Sequence, residues 1–202
     1  MPKKYDALTK SKITSGLQCH KKLWFNIHQP IKKDKAAFRI GNLFGEQVKK
    51  NYAKDYGKFL DLTGDYANEI KKTEQARKSD DINVIYEGAF EYLNTLVRTD
   101  VLIRKKNGWE LLEAKASTKL KPEHIPDITI QSFIVREFMK QFGHDLISIK
   151  LIHINGGFVL KKKGDYKDLI NDENDITEEI NAEEILNYIK DLMPLTNKNA
   201  PN

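Results

Sequence analysis

The chain has 202 residues, 40% hydrophobic and 9% aromatic, which suffices to bury one proper core, so one main domain is expected. No stretch reaches the ~18 consecutive apolar residues of a membrane span, and no apolar segment follows the basic start, so no membrane association and a cytoplasmic location are expected. The single cysteine, Cys19, excludes an internal disulfide and any zinc or iron–sulfur site whose four thiolates this chain alone would supply.

The net charge of +5 is unevenly spread: residues 1–60 hold fourteen Lys and Arg against four acids, and residues 164–202 hold three against ten. A basic front suits a phosphate-binding surface, because lysine and arginine release counterions from a nucleic-acid backbone. Charge alone fits a solvated lysine-rich surface equally well.

In chain order, Ser11 can cap a short helix whose apolar residues Ile13, Leu17, Leu23 and Trp24 recur near helical spacing, with Pro30 ending the region. Residues 35–56 predict a second helix, with Phe38, Gly41, Gly45, Val48 and Tyr52 on one stripe and Gly57 after its end. A short strand is expected over 58–62 and a polar surface helix over 65–77. Residues 82–93, 95–105 and 109–116 then alternate as strands, separated by short breaks that include Lys106-Asn107-Gly108, and predict an antiparallel meander.

Pro122 opens an amphipathic helix reaching about Gly143, in which Ile125, Ile128, Ser132, Val135, Phe138 and Phe142 repeat every three or four residues. Residues 147–154 predict another strand, with Gly156-Gly157 turning into a hairpin partner over 158–162. The expected division is a main domain over 1–163 and an acidic extension over 164–202. That extension carries one helix, Ala182 to Met193, capped by Asn181, and a polar tail open to further sequence.

Asp100 falls on one predicted strand, and Glu113 and Lys115 fall two apart on the next, so the two-residue period puts the last two on one sheet face. Two carboxylates on neighbouring strands offer hard oxygen ligands to Mg²⁺ or Mn²⁺, and the Ala114 carbonyl offers another. A metal so held activates water and stabilises charge on a phosphate, and a neighbouring ammonium assists. Acid-x-Lys occurs three times in this chain, at Glu69, Glu113 and Asp165, and a solvated cross-strand ion pair explains the pattern as well. Only the middle copy follows another acid-bearing strand.

Around these residues the chain resembles the PD-(D/E)XK nuclease superfamily, in its RecB-like branch, which includes CRISPR-associated exonucleases. The resemblance runs over about residues 8–180 and is carried by LTKSKITSGLQCHKKLW (8–24), GNLFGE (41–46), VIYEGAF (84–90), RTDVL (98–102) and WELLEAKASTKLKPEHIPDITIQ (109–131). It implies an α/β (α+β) restriction-endonuclease-like fold with an αβββαβ core, a mixed central sheet flanked by helices. It further implies that Asp100 and Glu113 bind metal, that Lys115 is the catalytic lysine, that Gln131 positions the catalytic groups or DNA, and that Glu46 adds a metal ligand; for Glu46, a surface helix acid is an equal alternative.

The chain also departs from that pattern. Val135 stands where relatives often carry a tyrosine, four residues after the glutamine. Cys19 matches the first cysteine of relatives that build an iron–sulfur cluster, but His20 replaces its usual proline neighbour and no partner cysteines follow, so no cluster is expected from this chain alone.

Glu87 is a secondary acid, read first as a structural strand residue. Lys21, Lys22, Lys119 and Lys121 are candidates for phosphate contacts. His20, His28, His124, His144 and His153 show no zinc spacing, and no Walker-type phosphate loop is present.

The expected function is a Mg²⁺- or Mn²⁺-dependent DNA nuclease, exonuclease-like, in repair, recombination or phage and defence processing. RNA as substrate stays open, as does a protein partner. The alternatives are a catalytically weak DNA-binding module of a larger complex and an interaction protein that docks through its acidic tail.

Overall fold

The structure, a computed structural model, describes residues 8–30, 35–177 and 182–196. The first half runs β1 (Leu8–Thr9), α1 (Lys10–Gln18), α2 (His20–His28), α3 (Lys35–Tyr56), β2 (Phe59–Asp61) and α4 (Glu69–Lys78). There follow β3 (Val84–Tyr92), β4 (Thr95–Lys105), β5 (Gly108–Lys115), α5 (His124–Lys140), β6 (Leu146–Ile154), β7 (Ile170–Asp175) and α6 (Ala182–Leu192).

The β-branched and aromatic residues of 84–115 form the expected meander, β3-β4-β5, with Val84 opposite Ile103 and Val101 opposite Leu112. The seven strands make one mixed sheet in the order β2-β3-β4-β5-β6-β7, in which β2–β3 and β5–β6 pair parallel. β1 also pairs with β4, parallel, through Leu8↔Thr95 and Thr9↔Leu96. Because β3 already occupies the other edge of β4 at those residues, β1 must share an edge with β5. β5 pairs with β4 only as far as Leu112↔Val101, so β1 and β5 leave a fork along β4 that includes Asp100.

Helices cover both sheet faces. α1, α5 and α6 bury Ile13, Ile134, Val135, Ile185 and Ile189 with Ile85, Leu102 and Leu111 on one side. On the other, Phe44 and Val48 of α3 cover Val84, Tyr86, Val101, Ile103, Leu112 and Ile152. Alternate residues of β3, β4 and β5 thus enter opposite cores, as the period of two requires.

Four expectations need correction. Thr9, not Ser11, caps α1, its side chain accepting from the Lys12 amide, and extended backbone at Cys19 (φ −169°) splits the first helix in two. The polar helix begins at Glu69, after left-handed Asn68 (φ 58°), and is not merely superficial. Its Glu69, Thr73 and Arg77 are buried, Glu69 receiving Arg98 through two hydrogen bonds (2.8 and 2.6 Å) and the Thr73 hydroxyl accepting from the Ala89 amide (2.9 Å). Residues 158–162 do not form the hairpin partner of β6; β7 does. At a sheet edge the backbone supplies the pairing, so a strand reading INDEND is tolerated there despite low strand propensity, anchored by buried Ile176 just beyond it.

The segment from residue 164 onward therefore supplies both an edge strand and, in α6, part of one helical layer. Asn181 and the tail after Thr196 lie outside the described residues.

Candidate active site

The fork in β4 collects the charged groups. Asp100 Oδ2 accepts the Ala114 amide at 2.6 Å, which fixes the aspartate against β5 where the ladder ends. Glu113 is 2% exposed, and both of its oxygens are engaged. Oε1 accepts from Lys115 Nζ (2.8 Å) and Lys10 Nζ (2.7 Å), and Oε2 accepts from Gln131 Nε2 (2.7 Å). Lys10 also donates to Gln131 Oε1 at 2.6 Å, and Lys115 reaches Asp127 on α5.

Each element positions its group for a local reason. The Thr9 cap starts α1 directly after β1, so Lys10 leaves the fork's far prong toward Glu113. α5 lies over the sheet with Gln131 wholly buried, and its amide satisfies Oε2 of Glu113, the oxygen to which neither lysine donates.

The electrostatics follow from this arrangement. Burial pushes the Asp100 carboxyl up to about 8, reinforced by the nearby charge of Glu113. Burial acts the same way on Glu113, but the ammonium groups of Lys10 and Lys115 override it and hold that carboxyl down at about 2. Burial works against charge on Lys10 and Lys115, yet Glu113 and Asp127 outweigh it and raise both. The site thus pairs a firmly ionised glutamate with an aspartate on which burial favours the protonated form.

These groups floor a cavity of about 650 Å³, lined also by Gly41, Gly45, Glu46 and Lys49 of α3 and by Glu87. Glu46 lies on the rim, paired with Lys49 at 3.2 Å. Glu87 falls between the pairs Tyr86↔Val101 and Gly88↔Thr99, where the β3–β4 ladder skips it, with left-handed backbone (φ 53°), a conformation costly for a residue with a side chain. Burial raises its carboxyl as well.

Among the described residues no group of three or more His, Cys, Asp or Glu has metal-holding geometry. The donor set still fits a hard divalent cation of the Mg²⁺ type, which takes one or two protein carboxylates and completes its shell with water and phosphate oxygens. Asp100, Glu113 and the Ala114 carbonyl would hold it, the ion taking the place of the proton that burial favours on Asp100.

The structure brings together Asp100, Glu113, Ala114, Lys115 and Glu46 around one cavity, with Gln131 behind Glu113. It does not bring Lys21 and Lys22 there: both are exposed on α2, Lys22 bonded to Gln18 and Lys21 over the Phe25 ring. Lys119 and Lys121 are exposed on the loop after β5. Val135, at the absent tyrosine's position, is wholly buried in the core. Sequence reasoning missed Lys10 and Asp127; Glu87, read first as a structural strand residue, lines the cavity. Lys10 lies 103 residues from Glu113, so no local spacing could reveal it.

The layered mixed sheet with its helices on both faces is a fold shared with solved exonucleases. An alkaline exonuclease from Laribacter hongkongensis superposes with a TM-score of 0.55 over 95% of this chain and 88% of its own, at 11% identity. A proposed exonuclease from Eubacterium rectale superposes with a TM-score of 0.53 over 98% of this chain and 84% of its own, also at 11% identity. No family profile matches the chain, and no curated protein is similar to it in sequence.

Proposed function

We propose that this protein is a Mg²⁺- or Mn²⁺-dependent nuclease of the RecB-like PD-(D/E)XK kind, hydrolysing DNA phosphodiester bonds in an exonuclease-like manner. The observation that carries the reading is the Asp100–Glu113–Lys115 cluster, with Glu113 buried and the other two half-buried, on the floor of an open cavity within a fold shared with exonucleases.

Asp100, Glu113 and the Ala114 carbonyl would hold the ion, which would supply an activated water at neutral pH and charge stabilisation on the phosphate. The chain's own groups do the rest. Lys115, held protonated between Glu113 and Asp127, offers a fixed cation to a phosphate or its attacking water. Lys10 and Gln131 fix both oxygens of Glu113, so that carboxylate needs little reorganisation. Cytoplasmic work on repair, recombination or invading DNA suits such an enzyme.

The test is cleavage of end-labelled single- and double-stranded DNA, and of RNA, with Mg²⁺, Mn²⁺ or EDTA. Activity should vanish in EDTA and fall by about 10²-fold or more in Asp100→Ala and in Lys115→Ala. Cleavage unaffected by both substitutions would refute the site, and salt-sensitive DNA binding without cleavage would leave a DNA-binding module. Product lengths separate exonuclease from endonuclease action.

A further inference from the structure

Two loops leave the sheet side by side at the end that carries Lys115. β5 and β6 run parallel and finish together: Lys115 pairs with His153, and the Ile154 amide donates to the Ser117 carbonyl at 2.9 Å. The first loop, 116–123, exposes Leu120 (39%) between Lys119 and Lys121. The second, 155–169, has a closed neck. There the Asn155 amide donates to the Leu169 carbonyl (2.7 Å), and its side chain donates to the Asp168 carbonyl (3.0 Å) and accepts from the Gly157 amide (2.9 Å). Inside the loop the Phe158 and Tyr166 rings lie 6.3 Å apart.

This ordered neck presents an unusual tip. Val159 is 71% and Leu160 48% exposed, followed at once by exposed lysines at 161–163. None of those three lysines is paired with an acid among the described residues. Both loops repeat one arrangement, an aliphatic tip beside lysines, and both emerge next to the candidate catalytic lysine. That surface suits a ligand with apolar faces on a polyanionic backbone.

We propose that loops 116–123 and 155–169 together form a binding site for a nucleic-acid strand continuing beyond the cavity, the lysines on phosphates and Val159-Leu160 against sugars and bases. The site rests on the nuclease reading, and extends it to a substrate longer than the cavity. Aliphatic contacts and point-charge lysines read no sequence, so the site is indifferent to base identity.

The test is fluorescence anisotropy of a 5′-labelled oligothymidylate with the full chain in EDTA across a salt series. Lys161→Ala/Lys162→Ala/Lys163→Ala should reduce the slope of log affinity against log salt by about 2, from three phosphate contacts at roughly 0.7 each. Val159→Ser/Leu160→Ser should weaken binding severalfold with the slope unchanged, since an apolar contact releases no counterions. All five side chains are exposed, so thermal unfolding of both variants should match wild type. Wild-type slope and affinity in both variants would overturn the loop site and leave the nuclease reading standing. A wild-type chain that binds no oligothymidylate would also overturn the loop site, whereas the nuclease reading falls only with the cleavage assay. Loss confined to binding of polyglutamate, with oligothymidylate unaffected, would overturn it in favour of a protein-docking surface.

Discussion

Replacing Lys10 by methionine keeps the length and apolar stem of the side chain and removes one charge from the fork. The ammonium lies 2.7 Å from Glu113 Oε1, with the two side chains 22% and 3% exposed. Removing one partner of a buried ion pair costs about 3–5 kcal/mol, because the remaining charge is stranded. Two features lower that figure here: Lys115 still bonds the same oxygen at 2.8 Å, and Lys10 keeps some contact with water. A loss of about 2–3 kcal/mol follows, below that range. For a chain of this size about 2–4 °C of Tm accompanies each kcal/mol, so Tm should fall by about 5–10 °C. The assay is thermal unfolding in EDTA at neutral pH for wild type, Lys10→Met, Glu113→Gln and the double variant, with Lys10→Arg expected to recover part of the loss. The double variant strands no charge, so it should be less destabilised than the sum of the singles by about 1 kcal/mol or more. A Tm within about 1 °C of wild type for Lys10→Met, or strict additivity in the double variant, would refute the clamp.

Gln131→Leu should cost about 1–3 kcal/mol, because Glu113 Oε2 loses its donor; a lower urea midpoint at unchanged m-value checks it. Gly108→Ala should cost about 1–3 kcal/mol, since a Cβ there would lie 2.6 Å from the Asp145 carbonyl oxygen and backbone does not yield cheaply; the same titration reads it. Glu110 sets an acid limit away from the site. Its burial raises the carboxyl, but Lys105 and Lys150, each at 3.1 Å, hold it below the usual 4.5. A depressed carboxyl contributes stability above its unfolded pKa and loses it as pH falls through the folded one. Wild type should therefore lose more stability than Glu110→Gln between about pH 5 and pH 3, and equal losses would refute the assignment.

The meander, the helix after it and the parallel strand were legible because their periodicities are local and strong: β4 spans Thr95–Lys105, the range its alternation gives. What escaped was decided by distant contacts. An aliphatic run at 158–162 looked more like a strand than INDEND does, yet β6 takes the latter, because backbone pairing at an edge ignores side-chain preference. The polar helix hides Glu69 because its partner Arg98 lies 29 residues away. Within the site, the acid pair and its lysine were visible as strand spacing, and Gln131 through resemblance. Lys10 was one basic residue among fourteen in the first sixty, distinguished only by the strand that precedes it.

That two-residue strand has a consequence for synthesis. A ribosome makes Lys10 early, but Glu113 and Gln131, which it clamps, follow 103 and 121 positions later. β1 itself has nowhere to pair until Thr95 and Leu96 exist. The charge cluster therefore cannot close, and a nascent chain is without its assembled fork, until residue 131 has been made.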